Sequence, residues 1–267
     1  MNPAVLLHAL RQSGRVAIVL CAGTFAFFYL VFSASSAFLR EASVEIPFFQ
    51  DPPRAMRALF GGSVDFVHPE GWLVAAMSHP ITLALFTAAA LLAAGGIAAE
   101  VERGTIDFVL TRPIRRSSYL LAVAAASLIL LTATELAGFL TTLLARQTVS
   151  VVDQLSVSGV LRVFVGSWTI FAAISTVAVL ISANVSLRSR AIALSVGFVV
   201  LSFLINVAVL MLDDLYGLRR LSLFHYFEPA DLIKSSSAMS QLIGPAAVAI
   251  VALVAAVVTF SRRDIVR

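Results

Sequence analysis

The sequence predicts an all-α, polytopic membrane protein with six transmembrane helices and both termini in the cytoplasm. Three observations carry this prediction: the composition, the apolar stretches and the positions of the arginines. Of the 267 residues, 60% are hydrophobic and only 13% are charged, whereas a soluble domain has about 25% charged residues. The low charge indicates that lipid surrounds the chain. A membrane β-barrel would need alternating segments of about ten residues, and the sequence has none.

Six apolar stretches are long enough to cross a bilayer, which takes about 20 helical residues. Five of them carry no charged residue, and the third carries one, Glu135. No internal repeat or linker divides the chain, so we expect one transmembrane domain over residues 1–267. The predicted spans are residues 16–39, 72–99, 117–145, 163–187, 191–212 and 240–261.

The N-terminal stretch is too long for the apolar core of a signal peptide, which has about 7–15 residues. It therefore predicts a retained span rather than a cleaved leader. The residues before it, Pro3 to Gly14, fit two interpretations. They form either an amphipathic helix at the cytoplasmic interface or an extension of the first span.

Arginine positions predict the orientation, because positive residues collect in cytoplasmic loops. With the N-terminus inside, the inner segments hold eleven arginines against four acids. The longer outer segments hold eight basic residues against ten acids. The positive charge therefore predicts a membrane topology rather than nucleic-acid binding.

The first inner loop, residues 100–116, has the most distinctive sequence, EVERGTIDFVLTRPIRR. Ile106, Val109 and Leu110 share one helical face, Thr105 can cap the helix start, and Pro113 stops it. The loop thus predicts a short helix with acids on one side and arginines on the other, suited to docking another protein. The alternative is an ordinary solvated loop whose charges serve only the topology.

At these residues the chain resembles the coupling segment between the second and third spans of six-helix ABC exporter permeases (ABC-2-type transmembrane subunits). That family's pattern is an acidic pair, Gly-Thr, an apolar–acidic helix, then Pro and basic residues. Residues 224–231, FHYFEPAD, also resemble the family's outer segment before the last span. Two departures are Leu223, where a proline is common, and the absence of a lysine near Ala122 and Val123.

The resemblance implies a subunit in the plasma (inner) membrane of a prokaryote, working with two copies of an ABC ATPase. It also implies a second permease copy, either identical or a close homologue, and export of a substrate. The residues expected to couple to the ATPase are Glu100, Glu102, Arg103, Gly104, Thr105, Asp107, Arg112, Pro113, Arg115 and Arg116.

The chain is not expected to be an enzyme or to bind a cofactor itself. A phosphate-binding P-loop requires Gly-Lys-Ser/Thr, and the only lysine, Lys234, follows Ile233. ATP and Mg²⁺ are therefore expected on the partner ATPase. His68, Glu70 and His79 are too loosely spaced to predict a metal site.

Polar residues inside the spans are candidates for the substrate path. An ionised carboxylate in lipid is costly, so Glu135 either binds a proton or cation in the path, or hydrogen-bonds a neighbouring helix when protonated. In the fifth span, Ser202 and Asn206 share one helical face. The family places this span at the dimer interface, so Asn206 and Ser202 are path candidates, with helix packing as the alternative role for the serine.

Three functions are therefore open. The first is the transmembrane subunit of an ABC exporter. The second is a proton-coupled secondary transporter that uses Glu135, and the third is a membrane assembly protein that transports nothing. The sequence carries no ligand-specific motif, so drug, lipid, peptide and ion substrates fit it equally.

Overall fold

The computed structural model describes residues 2–41, 53–59, 66, 68–104 and 115–263, and every regular element within these ranges is helical. The α-helices are α1 (Pro3–Glu41), α2 (Arg54–Leu59), α3 (Pro69–Ser78), α4 (Pro80–Leu91), α5 (Gly96–Glu102), α6 (Arg116–Thr148), α7 (Val157–Asn184), α8 (Arg188–Met211), α9 (Pro229–Lys234) and α10 (Ile243–Arg262). Three 3₁₀ helices cover Asp213–Leu221, Leu223–Tyr226 and Ser237–Leu242.

Five helices of the described chain are long and apolar enough to cross a membrane, and the number is six if one bent pair of helices is counted as a single span. The five are α1, α6, α7, α8, and α10 with the 3₁₀ turn before it. The bent pair is α3 with α4. The predicted all-α membrane fold is therefore confirmed.

Helix α1 runs without a break from Pro3 to Glu41, so the N-terminal segment extends the first span. Asn2 caps its start, because the side-chain Oδ1 accepts the amide of Ala4 at 3.0 Å, and Pro3 occupies the first turn, where its missing N–H costs nothing. The 39 residues make a helix about 58 Å long. Since the hydrocarbon core is about 30 Å thick, α1 projects well beyond it.

The second span is not the single helix over residues 72–99 that the sequence predicted. Its first break lies at His79 and Pro80, where α3 and α4 meet at 51°. Pro80 has no N–H, and its ring excludes helical backbone at the preceding residue. The His79 backbone is accordingly extended, and its Nδ1 accepts the amide of Ile81 at 3.1 Å. Thr82 Oγ1 donates to the carbonyl of Ala76 at 2.6 Å, which satisfies an end group of α3.

A second break, over residues 92–95, separates α4 from α5. The backbone hydrogen bonds from Leu92 to Ala89 and from Gly95 to Leu91 are long there, at 3.4 Å each. Glycine costs about 1 kcal/mol in a helix relative to alanine, and Gly95 and Gly96 stand together at this point. The pair therefore accounts for the interruption in an otherwise apolar sequence.

Helix α7 is the most buried span, with 67% of its most apolar stretch buried against 28% for α8. A row of phenylalanine rings crosses the bundle beside it. Phe28 of α1 stacks on Phe86 of α4 at 6.4 Å between ring centroids. Phe86 meets Phe171 of α7 edge to face at 5.4 Å, and Phe171 contacts Phe224 at 6.3 Å. These rings join three helices to the segment that follows α8.

The segment of residues 213–242 folds back onto α7 and α8 as short helices. Arg162 of α7 donates to the carbonyls of Leu232 and Ile233, both at 2.7 Å, and so caps the end of α9. Helix α9 lies so close to α7 that a Cβ on Gly159 would stand 2.8 Å from the Ile233 carbonyl oxygen. Gly159 is therefore required for this contact.

We predict that Gly159→Ala lowers the free energy of unfolding by about 1–3 kcal/mol, because the added methyl group overpacks a rigid backbone contact. Thermal unfolding in detergent micelles measures this. The matched control is Gly14→Ala, since a Cβ at Gly14 meets nothing within 4 Å. That variant should gain up to about 1 kcal/mol from helix propensity. Equal effects of the two substitutions would contradict the close packing of α9 on α7.

Candidate functional site

Helix α5 leads directly into the predicted coupling segment, and side chains bind its backbone at both ends. At its start, the amide of Ala98 donates to Ser182 Oγ of α7 at 3.0 Å. At its end, Arg103 Nε donates to the carbonyl of Ala99 at 3.0 Å. Gly104 then adopts a left-handed conformation, φ 67°, which only glycine adopts without steric cost and which commonly ends a helix. The predicted Gly-Thr element therefore begins with a helix stop.

Glu102 caps a different helix from its own. Its Oε2 accepts the backbone amide of Arg188, the first residue of α8, at 2.8 Å. The local cap position of α8 is Leu187, whose side chain has no hydrogen-bond acceptor. A carboxylate at a helix start also interacts favourably with the positive end of the helix dipole. Glu102 therefore ties the end of α5 to the start of α8.

Glu100 joins α5 to α6 in a similar way. Its Oε2 accepts the hydroxyl proton of Tyr119 at 2.6 Å. Tyr119 is only 2% exposed and stacks on Phe260 of α10, with ring centroids 6.0 Å apart. A buried tyrosine hydroxyl needs a partner, and Glu100 supplies it. The acidic pair thus binds two helices of its own chain.

Two arginines connect the start of α6 with the ends of α7 and α10. Arg116 donates to the backbone carbonyl of Arg263. Arg263 in turn donates to the carbonyl of Ala183 at 2.7 Å and to Ser186 Oγ at 2.8 Å, at the end of α7. Arginine suits this position because its fork of donors can satisfy several carbonyls at once. The ends of α6, α7 and α10 are therefore held together.

The predicted coupling residues fall into two groups. Thr105, Asp107, Arg112 and Pro113 lie outside the described residues, so their role stays a prediction. The others flank that gap: Glu100, Glu102, Arg103 and Gly104 at the end of α5, and Arg115 and Arg116 at the start of α6. The Glu100–Tyr119 bond brings these two flanks together, and Arg115 is exposed to solvent.

Glu135 is buried inside the bundle, with 3% of its surface exposed. Ser167 of α7 donates to its Oε1 at 3.2 Å, and Oε2 has no hydrogen-bond partner among the described residues. One turn further along α6, Gly138 packs against Phe164 of α7 and Thr24 of α1. The hydrogen bond to Ser167 supports the helix-packing interpretation of Glu135, and the path interpretation stays a prediction.

Ser202 and Asn206 face the segment after α8. Ser202 Oγ accepts the amide of Leu223 at 2.9 Å, and Ser222 Oγ donates to the carbonyl of Ser202 at 2.7 Å. Ser202 therefore anchors this segment to α8. Asn206, 9% exposed, lines a small aromatic cavity with Phe171 and Phe224.

A larger cleft of about 530 Å³ runs between α4 and α8. Its lining is mostly apolar, with Arg188 at the start of α8 and Phe203 further along. Leu83 and Phe203 line both this cleft and the cavity beside Asn206. The two spaces therefore follow one another along α8. Glu135 lines neither of them.

Charged residues cluster on the segment after α8. Glu228 forms an ion pair with Arg219. Burial raises the pKa of Glu228, and a hydrogen bond with Asp231 adds to the rise; Arg219 opposes it but does not offset it. Burial lowers the pKa of His225, and the positive charges of Arg219 and Arg220 lower it further. Glu228 therefore takes up a proton more readily than an exposed glutamate.

The part of the chain that the structure describes contains no group of three or more His, Cys, Asp or Glu residues placed to hold a metal ion.

A family model described as "ABC-2 family transporter protein" matches residues 59–265, which is most of the chain. The chain belongs to the ABC-2 transporter family. A search of curated proteins finds no match.

The ABC-2 family supplies the transmembrane component of ABC transporters, which is not itself catalytic. The chain is thus a multi-pass membrane permease of an ABC transporter. This agrees with the first of the three functions that the sequence left open. The secondary transporter and the assembly protein that transports nothing are set aside.

Three residues of this ABC-2 permease were missed as partners of the coupling segment: Tyr119, Ser182 and Arg188. Two signals point to Arg188 and Tyr119, and none points to Ser182. A helix that begins after Leu187 lacks a local cap, so its first amides need a distant acceptor. A tyrosine in an apolar span needs a partner for its hydroxyl. Sequence separation hides which acids supply these partners.

We predict that Glu135→Ala lowers the free energy of unfolding by about 1–3 kcal/mol, since the buried Ser167 hydroxyl loses its acceptor. Glu135→Gln should stay near wild type, because the amide oxygen still accepts from Ser167. Thermal unfolding in micelles distinguishes the two. Leu136→Ala is the matched control, because Leu136 is the next residue and is largely exposed. An equal loss in the Gln variant would show that the charge, not the hydrogen bond, is required.

We predict that Glu228 makes stability depend on pH. A raised pKa means that the folded state holds this proton more tightly than the unfolded state. Its contribution is therefore greatest in acid and is lost as pH rises from about 4.3 through the raised folded value. Unfolding curves across this range should show wild type losing stability relative to Glu228→Gln, which stays neutral. His225 is present in both proteins, and parallel profiles would refute the prediction.

Proposed function

We propose that this ABC-2 permease is the transmembrane subunit of an exporter in a prokaryotic plasma (inner) membrane, with both termini cytoplasmic. In this proposal two ATPase copies bind ATP and Mg²⁺, and a second permease copy, identical or closely homologous, completes the transporter. The observation that carries the proposal is the arrangement around residues 100–116. The α5 flank is hydrogen-bonded to α6 through Glu100 and Tyr119 and to α8 through Glu102 and Arg188, and the α6 flank is hydrogen-bonded to the end of α10 through Arg116.

Coupling requires that a push on the segment moves the membrane-spanning helices. A loop that hangs free of the bundle would absorb such a push. Here α5 contacts α7 through Ser182 and α8 through Arg188. The start of α6 is tied to the end of α10 through Arg116. These bonds support transmission from the segment into the bundle.

The proposed substrate path follows α8. The cleft between α4 and α8 and the cavity beside Asn206 form a series along this helix. Its lining is mostly apolar, with Arg188 and Thr87 in the cleft and Ser78 and Asn206 in the cavity as the polar residues. This supports an amphiphilic or apolar substrate, with Asn206 as a polar contact. Ser202 contributes by anchoring the segment that carries Phe224.

The proposed second copy would cover α8. Leu194, Leu201 and Leu204 are between 55% and 59% exposed, and few residues of this span are buried. Lipid tails or a facing helix can satisfy such a surface. A facing α8 would also close the cleft, which one chain leaves open on that side.

We predict that Arg115→Glu weakens assembly with the proposed partner ATPase by about tenfold, or about 1.4 kcal/mol, because it reverses an exposed charge at the coupling segment. Affinity is measured with both proteins purified. The matched control is Arg220→Glu, the same reversal at an exposed residue predicted on the opposite side of the membrane.

The mass of the wild-type complex should correspond to two copies of each subunit. A wild-type permease that binds no ATPase would refute the proposed function.

A further inference from the structure

We infer that Glu102 is a positioning residue that makes α8 follow the coupling segment: α5 acts as a short lever, held on α7 at Ser182 and attached to α8 at Glu102. The inference rests on the proposed function and names the residue through which it operates. Glu102 contacts neither nucleotide nor substrate in this scheme. It acts through the backbone of Arg188.

The lever has a defined attachment at each end. At the first turn of α5, the Ala98 amide is bound by Ser182 Oγ at 3.0 Å, and α7 is the most buried span. At the last residue of α5, Glu102 binds the amide of Arg188 at 2.8 Å. Helix α5 has seven residues and is about 10 Å long. Gly104 then ends it and begins the connection to the segment.

The lever is loosely connected to the helix before it. Over residues 92–95 the helical hydrogen bonds lapse or lengthen to 3.4 Å. A Cβ on Gly96 would meet nothing within 4 Å, and one on Gly95 only a side chain at 3.7 Å. Sharp changes of helix direction commonly occur at such glycine pairs. A force applied after Glu102 can therefore rotate α5 about its bonds to Ser182 and, through Glu100, to Tyr119. Helix α4 need not move together with α5.

Helix α8 is the span best placed to respond. A short non-helical link, residues 185–187, separates it from α7, and most of its apolar stretch is unburied. Arg188 and several later residues of α8 line the cleft against α4. Movement of the α8 start by Glu102 would therefore change the width of the cleft at its Arg188 end.

Substitutions can distinguish two roles of Glu102, the attachment of α5 to α8 and the capping of α8 alone. Glu102→Ala removes both the cap of α8 and the attachment to α5. Glu102→Ala with Leu187→Asp restores a cap at the local position, whose extended backbone suits an N-cap residue, but not the attachment. Glu102→Gln keeps an oxygen that can accept the Arg188 amide.

The experiment measures movement of α8 in the assembled permease–ATPase complex. Spin labels are placed through Ser189→Cys on α8 and Ser261→Cys on α10, both exposed, in a Cys21→Ser background. The complexes are purified through one tag on the permease and another on the ATPase. They are assembled with an excess of unlabelled permease, so that few complexes carry two labelled permease copies. The measured distances then come mainly from pairs of labels within one copy. The distance between labels is recorded without nucleotide and after trapping with ATP and vanadate.

We expect the trapped wild-type complex to show a shift in this distance. The shift should be lost in Glu102→Ala and in Glu102→Ala with Leu187→Asp, and retained in Glu102→Gln. Thermal unfolding should show that the added Leu187→Asp recovers stability without recovering the shift. If Glu102→Ala alone does not fold, the double variant provides the test.

Two results would overturn the inference while leaving the proposed function intact. One is a full shift in the double variant, which would show that Glu102 only caps α8. The other is an assembled wild-type complex without any shift, which would show that α8 does not follow the segment. A wild-type permease that forms no complex with the ATPase would instead overturn the proposed function, and this inference with it.

Discussion

The structure depends on one constraint: every backbone polar group at a helix end within the bundle must find a hydrogen-bond partner, because lipid offers none. The broken second span creates many such ends. His79 and Thr82 serve the ends at the first break, and Ser182 serves the start of α5. Arg162 and Arg263 do the same for α9 and α7. Side chains from other helices supply most of these partners.

This constraint also connects stability to function. A cap supplied from another helix is at once a hydrogen bond and a mechanical joint. Glu102 satisfies α8 and thereby fixes its position relative to α5. Glu102 is itself an exposed acid, and exposed charges contribute little to stability through their charge alone. Its location at an uncapped helix start gives it a role in the proposed coupling.

The sequence was sufficient to predict the class of fold, because long runs of apolar residues indicate helices that cross the bilayer. It did not predict the breaks in residues 72–99, although Pro80 stands within that run. Proline is tolerated in membrane helices when neighbours satisfy the freed groups, so hydropathy alone could not separate a kinked helix from a broken one. It also left open whether Pro3 to Gly14 continues the first span, since an amphipathic pattern fits both arrangements.

For the candidate site, the sequence identified the acidic pair and its position before Gly104, but it assigned both acids to an external partner. The structure gives them partners within the chain. Tyr119 lies nineteen positions after Glu100, and Arg188 lies 86 positions after Glu102. A backbone amide carries no signature of its partner, so a capping bond over such a separation follows only from the tertiary arrangement. The sequence therefore showed that two acids stand at this site, but it did not show which groups they bind.

The bend at Pro80 affects the shape of the cavity beside Asn206 separately from the polarity of that cavity. Met77 and Ser78 before the bend and Leu83 after it all line the cavity beside Asn206. The outline of that space is therefore a property of the backbone, while its polarity is a property of the side chains. A relative could keep every lining residue and still enclose a different volume if its helix bent by another angle. Comparison of lining residues alone would then misjudge which molecules the two proteins accept.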